Sequence, residues 1–281
     1  MSKSKLLAIS IPTYNRAKYL EELLVCIKNN LEKSPFLQEY LNVYVFDNDS
    51  SDNTSEIVKN CEIDIIYKKN ETNTKADPNI NQAYTIPDEE YIWVIGDDEL
   101  LSDFAINNVI KLIQEHSPAL IIQSAKEEKD NEYQFFNSYN EFAQITSKKD
   151  PYSLIAHSLI SANIIKKSFF DQNFAKEKLA TCYGHMYGMI NGICNKNSKI
   201  IKINNNDLIV RQQRAPYHDD FPSDIKNLQK NYLYWIKEKY NLEEIDIEKI
   251  FEKPKMSLFR KIIREINRII DQIKSKVKKG E

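Results

Sequence analysis

The residues best suited to chemistry stand in two clusters, each at the end of an apolar run. In "YIWVIGDDEL" (91–100), Ile92 to Ile95 lead into Gly96, Asp97, Asp98 and Glu99. In "LNVYVFDNDSSDNT" (41–54), the run ends in Asp47, Asp49 and Asp52. Adjacent carboxylates repel one another and are costly to desolvate, so a positive group is expected opposite them. Oxygen ligands in an open cluster select a hard divalent cation, Mg2+ or Mn2+, which keeps some waters and bridges to a substrate phosphate. A diphosphate held in that way is a better leaving group, because the developing charge is taken up. The plainer reading is that the acids only start the next helix, where negative charge offsets the helix dipole. Two clusters after two strands favour the cation.

Such clusters face one crevice only if their strands lie in one sheet and end at one edge. The sequence predicts that frame. Strands are expected at Leu6 to Ile11, stopped by Pro12, and in "LNVYVFD", "IDIIYKKN", "YIWVIGDDEL" and "ALIIQSA". Between them "RAKYLEELLVCIKNNL", "SEIVKNC" (Thr54 or Ser55 as N-cap), "DPNINQAYTI" and "SDFAINNVIKLIQEH" read as helices. Strands alternating with helices over the first 125 residues indicate an α/β fold with a mostly parallel sheet, whose ligands sit at the carboxyl ends of strands. No dinucleotide fingerprint and no Walker A loop occurs.

From 126 to 215 the pattern is less regular. "EYQFFNSYNEFA" reads as strand and loop, "YSLIAHSLISANIIKKSFF" as helix then strand, and "KLATCYGHMYGMINGICN" as a helix. "KIIKINNNDLIVRQQR" reads as a strand pair turned at Asn204 to Asn206, and "DIKNLQKNYLYWIKEKY" as a helix. Residues 255–279 are amphipathic, with Phe259, Ile262, Ile263, Ile266, Ile269, Ile270, Ile273 and Val277 on one face.

The chain has 281 residues and a net charge of −2, which argues against a nucleic-acid partner. Residues 255–281 carry nine basic and three acidic side chains, a net of +6, leaving −8 for the rest. A basic, isoleucine-striped helix fits the interface of an anionic membrane, and equally fits packing on protein. Cys26, Cys61, Cys182 and Cys194 stand far apart, so zinc and disulfide frameworks are not expected. Without a signal peptide or a spanning segment, the expected location is cytoplasmic, peripheral on the inner face of the cytoplasmic membrane. Five glycines amid abundant Asn, Lys and Ile read as compositional bias.

"ISIPTYNRAKYLEELL", "VYVFDNDSSDNTSEIV" and "YIWVIGDDEL", in that order and spacing, resemble the family 2 glycosyltransferases with a GT-A fold, over about residues 5 to 125. The resemblance implies transfer of a sugar from a nucleotide-diphosphate donor to a hydroxyl of a saccharide or lipid-linked saccharide acceptor. The transfer would invert the anomeric centre and use Mn2+ or Mg2+ on a D-x-D-type motif. It implies that Pro12, Thr13 and Tyr14 line the nucleobase pocket and that Asp47 bonds the base. Asp49 stands where the family usually has glycine, and Gly96 takes the place of the first metal-site acid. Asp98 is then the metal ligand with Glu99 as a weaker one, Asp97 meets ribose or diphosphate, and Asn79 or Asn81 lines the nucleotide cleft. The implied domains are a GT-A catalytic domain at 1–215, divided into a nucleotide-sugar half (1–125) and an acceptor half (126–215), and a helical extension at 216–281.

An inverting transfer needs a base opposite the leaving group. The family's usual Glu-Asp pair is missing between 150 and 215, and His185 in "LATCYGHMYGM" is the first candidate, because imidazole titrates near neutrality. Asp171 and Glu177 are the fallbacks. Arg211 and Arg214 are expected to clamp the diphosphate, with His218 in a lid, and Ser161 to Asn163 to meet a sugar. His116 and His157 read as structural. The competing reading is a non-catalytic GT-A-like protein that binds a nucleotide sugar or a glycan. A metal nuclease is disfavoured by the acidic catalytic half.

Overall fold

The computed structural model describes residues 5–123, 133–149, 154, 159–194, 198–204 and 224–251. Arg211, Arg214, His157, His218 and the 255–279 stripe lie outside the described residues. Met1–Ile245 form one compact unit and Asp246–Glu281 another. The first is built on an eight-stranded sheet of β1 (Leu7–Thr13), β2 (Leu41–Asp47), β3 (Ile65–Lys69), β4 (Tyr91–Val94), β5 (Leu120–Gln123), β6 (Tyr133–Phe136), β7 (Asn163–Lys166) and β8 (Ile200–Ile203). Their order is β3-β2-β1-β4-β7-β5-β8-β6. The first four are mutually parallel. β7 is antiparallel to both β4 and β5, β8 is parallel to β5, and β6 closes the sheet antiparallel to β8.

The helices of this unit are α1 (Ala17–Lys33), α2 (Thr54–Asn60), α3 (Ala76–Thr85), α4 (Ala105–His116), α5 (Tyr139–Lys149), α6 (Gln172–Glu177), α7 (Gly184–Ile193) and α8 (Ile225–Lys239). The apolar stripes of α1 and α4 bury Leu20, Leu23, Ile27, Ile106, Val109 and Ile113 in one core with Leu7, Ile9, Ile11 and Trp93 of the sheet. Each such side chain contributes roughly 1.5–3 kcal/mol on burial. Asn30 is buried on α1. It donates to the Ser102 carbonyl at 2.8 Å and accepts from the Ile106 amide at 3.3 Å. This ties α1 to the start of α4, just after the acidic turn.

Three local expectations are corrected. β1 does not stop at Pro12 but continues to Thr13. The Ile95 amide donates to the Ser10 carbonyl, so even-numbered residues of β1 face β4. The missing N–H of Pro12 therefore falls on the side where the pairing with β4 has already ended, at Ser10 with Val94, and nothing is lost. Secondly, Tyr139 to Phe142 belong to the helix α5, not to a loop. Tyr139, Phe142 and Ala143 are buried there, and packing outweighs the modest helix propensity of aromatic residues. Thirdly, α2 starts at Thr54 with Asn53 in the cap position and no capping side chain there. Asp52 does that work, accepting from the Thr54 amide at 3.1 Å and its hydroxyl at 2.5 Å.

Nor are the glycines compositional noise. Gly184, Gly188 and Gly192 stand at four-residue spacing on α7. A Cβ at Gly188 would come 2.7 Å from the Ala175 Cβ, and one at Gly192 only 1.9 Å from the Phe169 carbonyl oxygen. Their absent side chains let α7 lie against α6 and the segment that leads into it. Asp246–Glu281, taken by itself, contains α9 (Ile247–Phe251).

Candidate functional site

The carboxyl ends of β1, β2 and β4 meet at one edge of the sheet. Thr13 pairs with Asp47 across β1 and β2. Beyond β4, the Glu99 amide donates to the Gly96 carbonyl at 3.1 Å, closing a four-residue turn with Asp97 and Asp98 at its centre. The turn divides the acids. Asp97 points inward and is 4% exposed, Asp98 is half-buried, and Glu99 is buried.

Asp97 is met by a cation of the protein itself. Arg16 Nη1 donates to Asp97 Oδ1 at 3.0 Å, and the Thr13 hydroxyl donates to Oδ2 at 2.8 Å. Burial pushes the Asp97 carboxyl up to about 6, against the opposing pull of the Arg16 charge and the two hydrogen bonds. Sequence reasoning sought the positive charge in a bound metal and passed over Arg16, 81 residues away. Thr13, expected at the nucleobase, places its hydroxyl on Asp97.

Asp47 is fully buried. The Ser50 amide donates to its Oδ1 at 2.7 Å, and the Tyr67 hydroxyl donates to its Oδ2. Asp49 follows in the left-handed region at φ 68, which explains why glycine suits that position and why an aspartate is tolerated there. Asp52 Oδ2 accepts from the Ala17 amide at 2.9 Å, at the start of α1. Burial raises the Asp52 carboxyl, but the Thr54 hydroxyl and the amides of Ala17 and Thr54 outweigh it and hold it low. The loop after β1 is pinned a second time, because the Asn15 amide donates to Ser50 Oγ at 2.9 Å and Asn15 Oδ1 accepts from the Ser51 amide at 2.8 Å. Pro12 and Tyr14 are half-buried at this strand end.

An amide hub holds the loop between β3 and α3. Asn48 Oδ1 accepts from Asn70 Nδ2 at 2.9 Å and from the Thr74 amide at 2.9 Å, while its Nδ2 donates to Asn73 Oδ1 at 2.8 Å and the Lys75 carbonyl at 3.1 Å. Asn79 is buried and donates to the Phe46 carbonyl at 3.0 Å, so it braces the end of β2. The Asn81 side-chain oxygen is buried without a hydrogen-bond partner.

The "SAN" segment links this edge to His185. The Gly96 amide donates to Ser161 Oγ at 2.9 Å, and Trp93 Nε1 donates to the Ser161 carbonyl at 3.0 Å. The Tyr84 hydroxyl donates to the neighbouring Ile160 carbonyl at 3.3 Å. The Tyr84 ring in turn stacks on His185, with centroids 5.9 Å apart and planes 4° from parallel. Tyr183 stacks on the same imidazole at 6.5 Å. His185 therefore lies buried in the first turn of α7, stacked with two aromatic rings. The loop before it is strained, with Ala180 at φ 74 and Cys182 at φ 61, and Asp77 of α3 holds it by accepting from the Cys182 amide at 2.8 Å. Asp171 is the N-cap of α6 and accepts from the Phe174 amide and from Asn191 Nδ2.

Asp98 and Glu99, the acids expected at a cation, both lie in this turn, Asp98 half-buried and Glu99 4% exposed. Among the described residues no three His, Cys, Asp or Glu side chains form a metal cage. A Cβ on Gly96 would stand 3.2 Å from Asp98 Oδ1, so any side chain there has to displace the Asp98 carboxylate by a few tenths of an ångström. Mg2+ and Mn2+ take oxygen ligands, keep waters and share phosphate, so a pair of protein carboxylates is a donor set of the right chemistry for them. Of the expected residues, the fold brings Pro12, Thr13, Tyr14, Asp47, Asp97, Asp98 and Glu99 to one edge, with Asn79 behind it. His185 is linked to that edge through Ser161 and Tyr84. Ser161, Tyr67, Tyr84 and Arg16 complete the arrangement.

Comparison with known proteins agrees with this frame. A model of glycosyl transferase family 2 matches residues 8–196. The abequosyltransferase RfbV of Salmonella typhimurium is 37% identical over 101 residues, 34% of this chain and 29% of that protein. Glycosyltransferase GlyG of Streptococcus pneumoniae is 21% identical over 146 residues, 50% of this chain and 46% of that protein. The chain thus spans less than half the length of these curated relatives. TarS 1-349 of S. aureus, solved with UDP-GlcNAc, superposes with a TM-score of 0.57 at 20% identity, over 83% of this chain and 66% of that one. The mannosyltransferase PcManGT of Pyrobaculum calidifontis, solved with GDP-Man and Mn2+, gives 0.51 at 14% identity, over 83% and 63%. At these identities the two structures bear on the fold alone.

Proposed function

Because the chain belongs to glycosyl transferase family 2 and has a GT-A fold, we propose that it moves a sugar from a nucleotide-diphosphate donor to a hydroxyl of a saccharide or lipid-linked saccharide, with inversion, in bacterial surface polysaccharide or lipooligosaccharide synthesis. The observation that supports this best is the meeting of Asp47, Thr13 and the Gly96–Glu99 turn at one sheet edge. Pro12, Tyr14 and Asp47 form the nucleobase side of the site. Asp98 and Glu99 form the diphosphate side and hold Mn2+ or Mg2+. When bound, that ion neutralises charge on the leaving diphosphate.

The chain's own groups do the rest. The inward Asp97 keeps the turn in place, leaving Asp98 to face the ligand. His185, set by Tyr84 and Tyr183, takes the proton of the acceptor hydroxyl as it attacks the anomeric carbon. Arg211 and Arg214 are assigned to the diphosphate by chemistry alone. The basic stripe at 255–279 suits an acceptor carried in an anionic membrane, on its cytoplasmic face. No described helix is long and apolar enough to cross a membrane.

One observation favours a second reading. Gly96 replaces an acid and Asp97 is engaged by Arg16, so the ligand-facing acids are few, as in a binder that does not turn its ligand over. Incubation with UDP-, dTDP-, GDP- and CDP-sugars, Mn2+ and oligosaccharide acceptors separates the two. Release of one nucleoside diphosphate, abolished by EDTA, is expected of the transferase. Binding without release supports the second reading.

A further inference from the structure

We propose that Arg16 is a positioning residue, which acts through Asp97 to lock the loop after β1 to the turn after β4. The inference rests on the donor-site reading above and deepens it. The loop from Tyr14 to Ala17 is anchored on one flank by the β2–α2 loop, through Ser50, Ser51 and Asp52. On the other flank the Arg16–Asp97 ion pair at 3.0 Å ties it to the turn, beside the hydrogen bond at 2.8 Å from Thr13 at the end of β1 to the same carboxylate. Asp97 sits at the centre of the turn, and its side chain is 5% exposed. Each of its carboxylate oxygens is engaged by the β1 side, so its work is internal to the protein. A buried carboxylate needs such a partner, and a planar guanidinium holds it in one direction where a flexible ammonium would not.

The consequence is a single rigid piece. The strand end assigned to the nucleobase and the turn assigned to the diphosphate cannot shift independently while the latch is closed. Asp98 and Glu99, the next two residues of the turn, are thereby aimed from β1 as well as from β4. The two acid clusters of the sequence are thus connected through a cation that the chain supplies.

The test is a double-mutant cycle on the full chain, with Arg16→Gln, Asp97→Asn and the two combined. Bound Mn2+ is read by electron paramagnetic resonance, with whichever of UDP, dTDP, GDP and CDP binds wild type most tightly. Donor KM and kcat are measured beside it. Arg16→Gln is expected to weaken Mn2+–nucleotide binding at least tenfold and to raise donor KM. In the Asp97→Asn background, the same change is expected to cost no more than a further threefold. Equal losses in both backgrounds would mean that Arg16 touches the ligand directly, overturning the latch. So would an Arg16→Gln protein that binds like wild type. If Arg16→Gln does not fold, Arg16→Lys carries the same comparison, since it keeps the charge and loses the planar fork. A wild-type protein that binds no nucleoside diphosphate with metal overturns the donor-site reading and the latch with it, a result distinct from the other two.

Discussion

The loops that follow β1, β2 and β4 are held by carboxylates and amides; the helices α6, α7 and α8 are held by rings and by missing side chains. Asp47, Asp52, Asp97 and Asn48 each bind the loops around them through short, directional bonds. Among the helices, Tyr187 packs on Trp235 with centroids 4.6 Å apart, Tyr183 stacks on Tyr232 at 5.1 Å, and α7 fits its neighbours through Gly188 and Gly192. Directional bonds fix atoms against a ligand whose polar groups are constant, as a nucleoside diphosphate's are. Ring packing fixes a helix as a body and leaves its exposed edge open to variation. A transferase that keeps its donor chemistry while differing in acceptor has use for both.

Four experiments press on this contrast. Asp98→Ala should lower turnover by about a thousandfold or more, with a smaller effect on thermal midpoint, because it removes a half-buried charge assigned to the diphosphate side of the site. Kinetics that are unchanged, and insensitive to EDTA, would remove the metal from the account. Gly192→Ala should destabilise by about 3 kcal/mol, at the upper end for overpacking, since a Cβ would meet the Phe169 carbonyl. Urea unfolding measures it. Gly96→Ala, with its nearest contact at 3.2 Å, should cost far less.

The third experiment uses pH. The Asp97 carboxyl is pushed up to about 6 from an ordinary 3.8, so the folded state binds this proton more tightly than the unfolded chain. The stabilisation is complete below pH 3.8 and is lost as pH rises through 6. From pH 7 to 4, wild type should gain up to about 3 kcal/mol relative to Asp97→Asn. A constant difference across that window would contradict the burial argument. Fourthly, His185→Ala should lower kcat by about a hundredfold with a smaller effect on donor KM. A near-normal rate would move the base elsewhere on the acceptor side.

The same contrast governs what could be read in the sequence. Apolar runs and period-3.6 patterns gave away β1 to β5 and α1 to α4, because β1, β2, β4 and β5 are buried on both faces and helices such as α1 and α4 turn one stripe to the core. The acid clusters were visible as types, and the family resemblance assigned glycine to position 49, where the backbone is left-handed. What no local pattern carries is partnership. Nothing near Arg16 reveals that it meets Asp97, and nothing near Gly96 reveals the hydroxyl of Ser161. In α7 the glycine spacing 184, 188, 192 was a usable signal that composition obscured. α5 stayed hidden because Tyr139 to Phe142 read as the loop that follows a strand.

The most direct test of the central claim, a site for a nucleotide-diphosphate donor that works with a divalent cation, is a thermal-shift screen of UDP, dTDP, GDP and CDP, each with and without Mn2+. A ligand bound only to the native state raises its stability by mass action. The account predicts that one nucleotide shifts the midpoint upward and needs Mn2+ to do so. No shift with any nucleotide in a folded sample, or one that EDTA leaves unchanged, would contradict it.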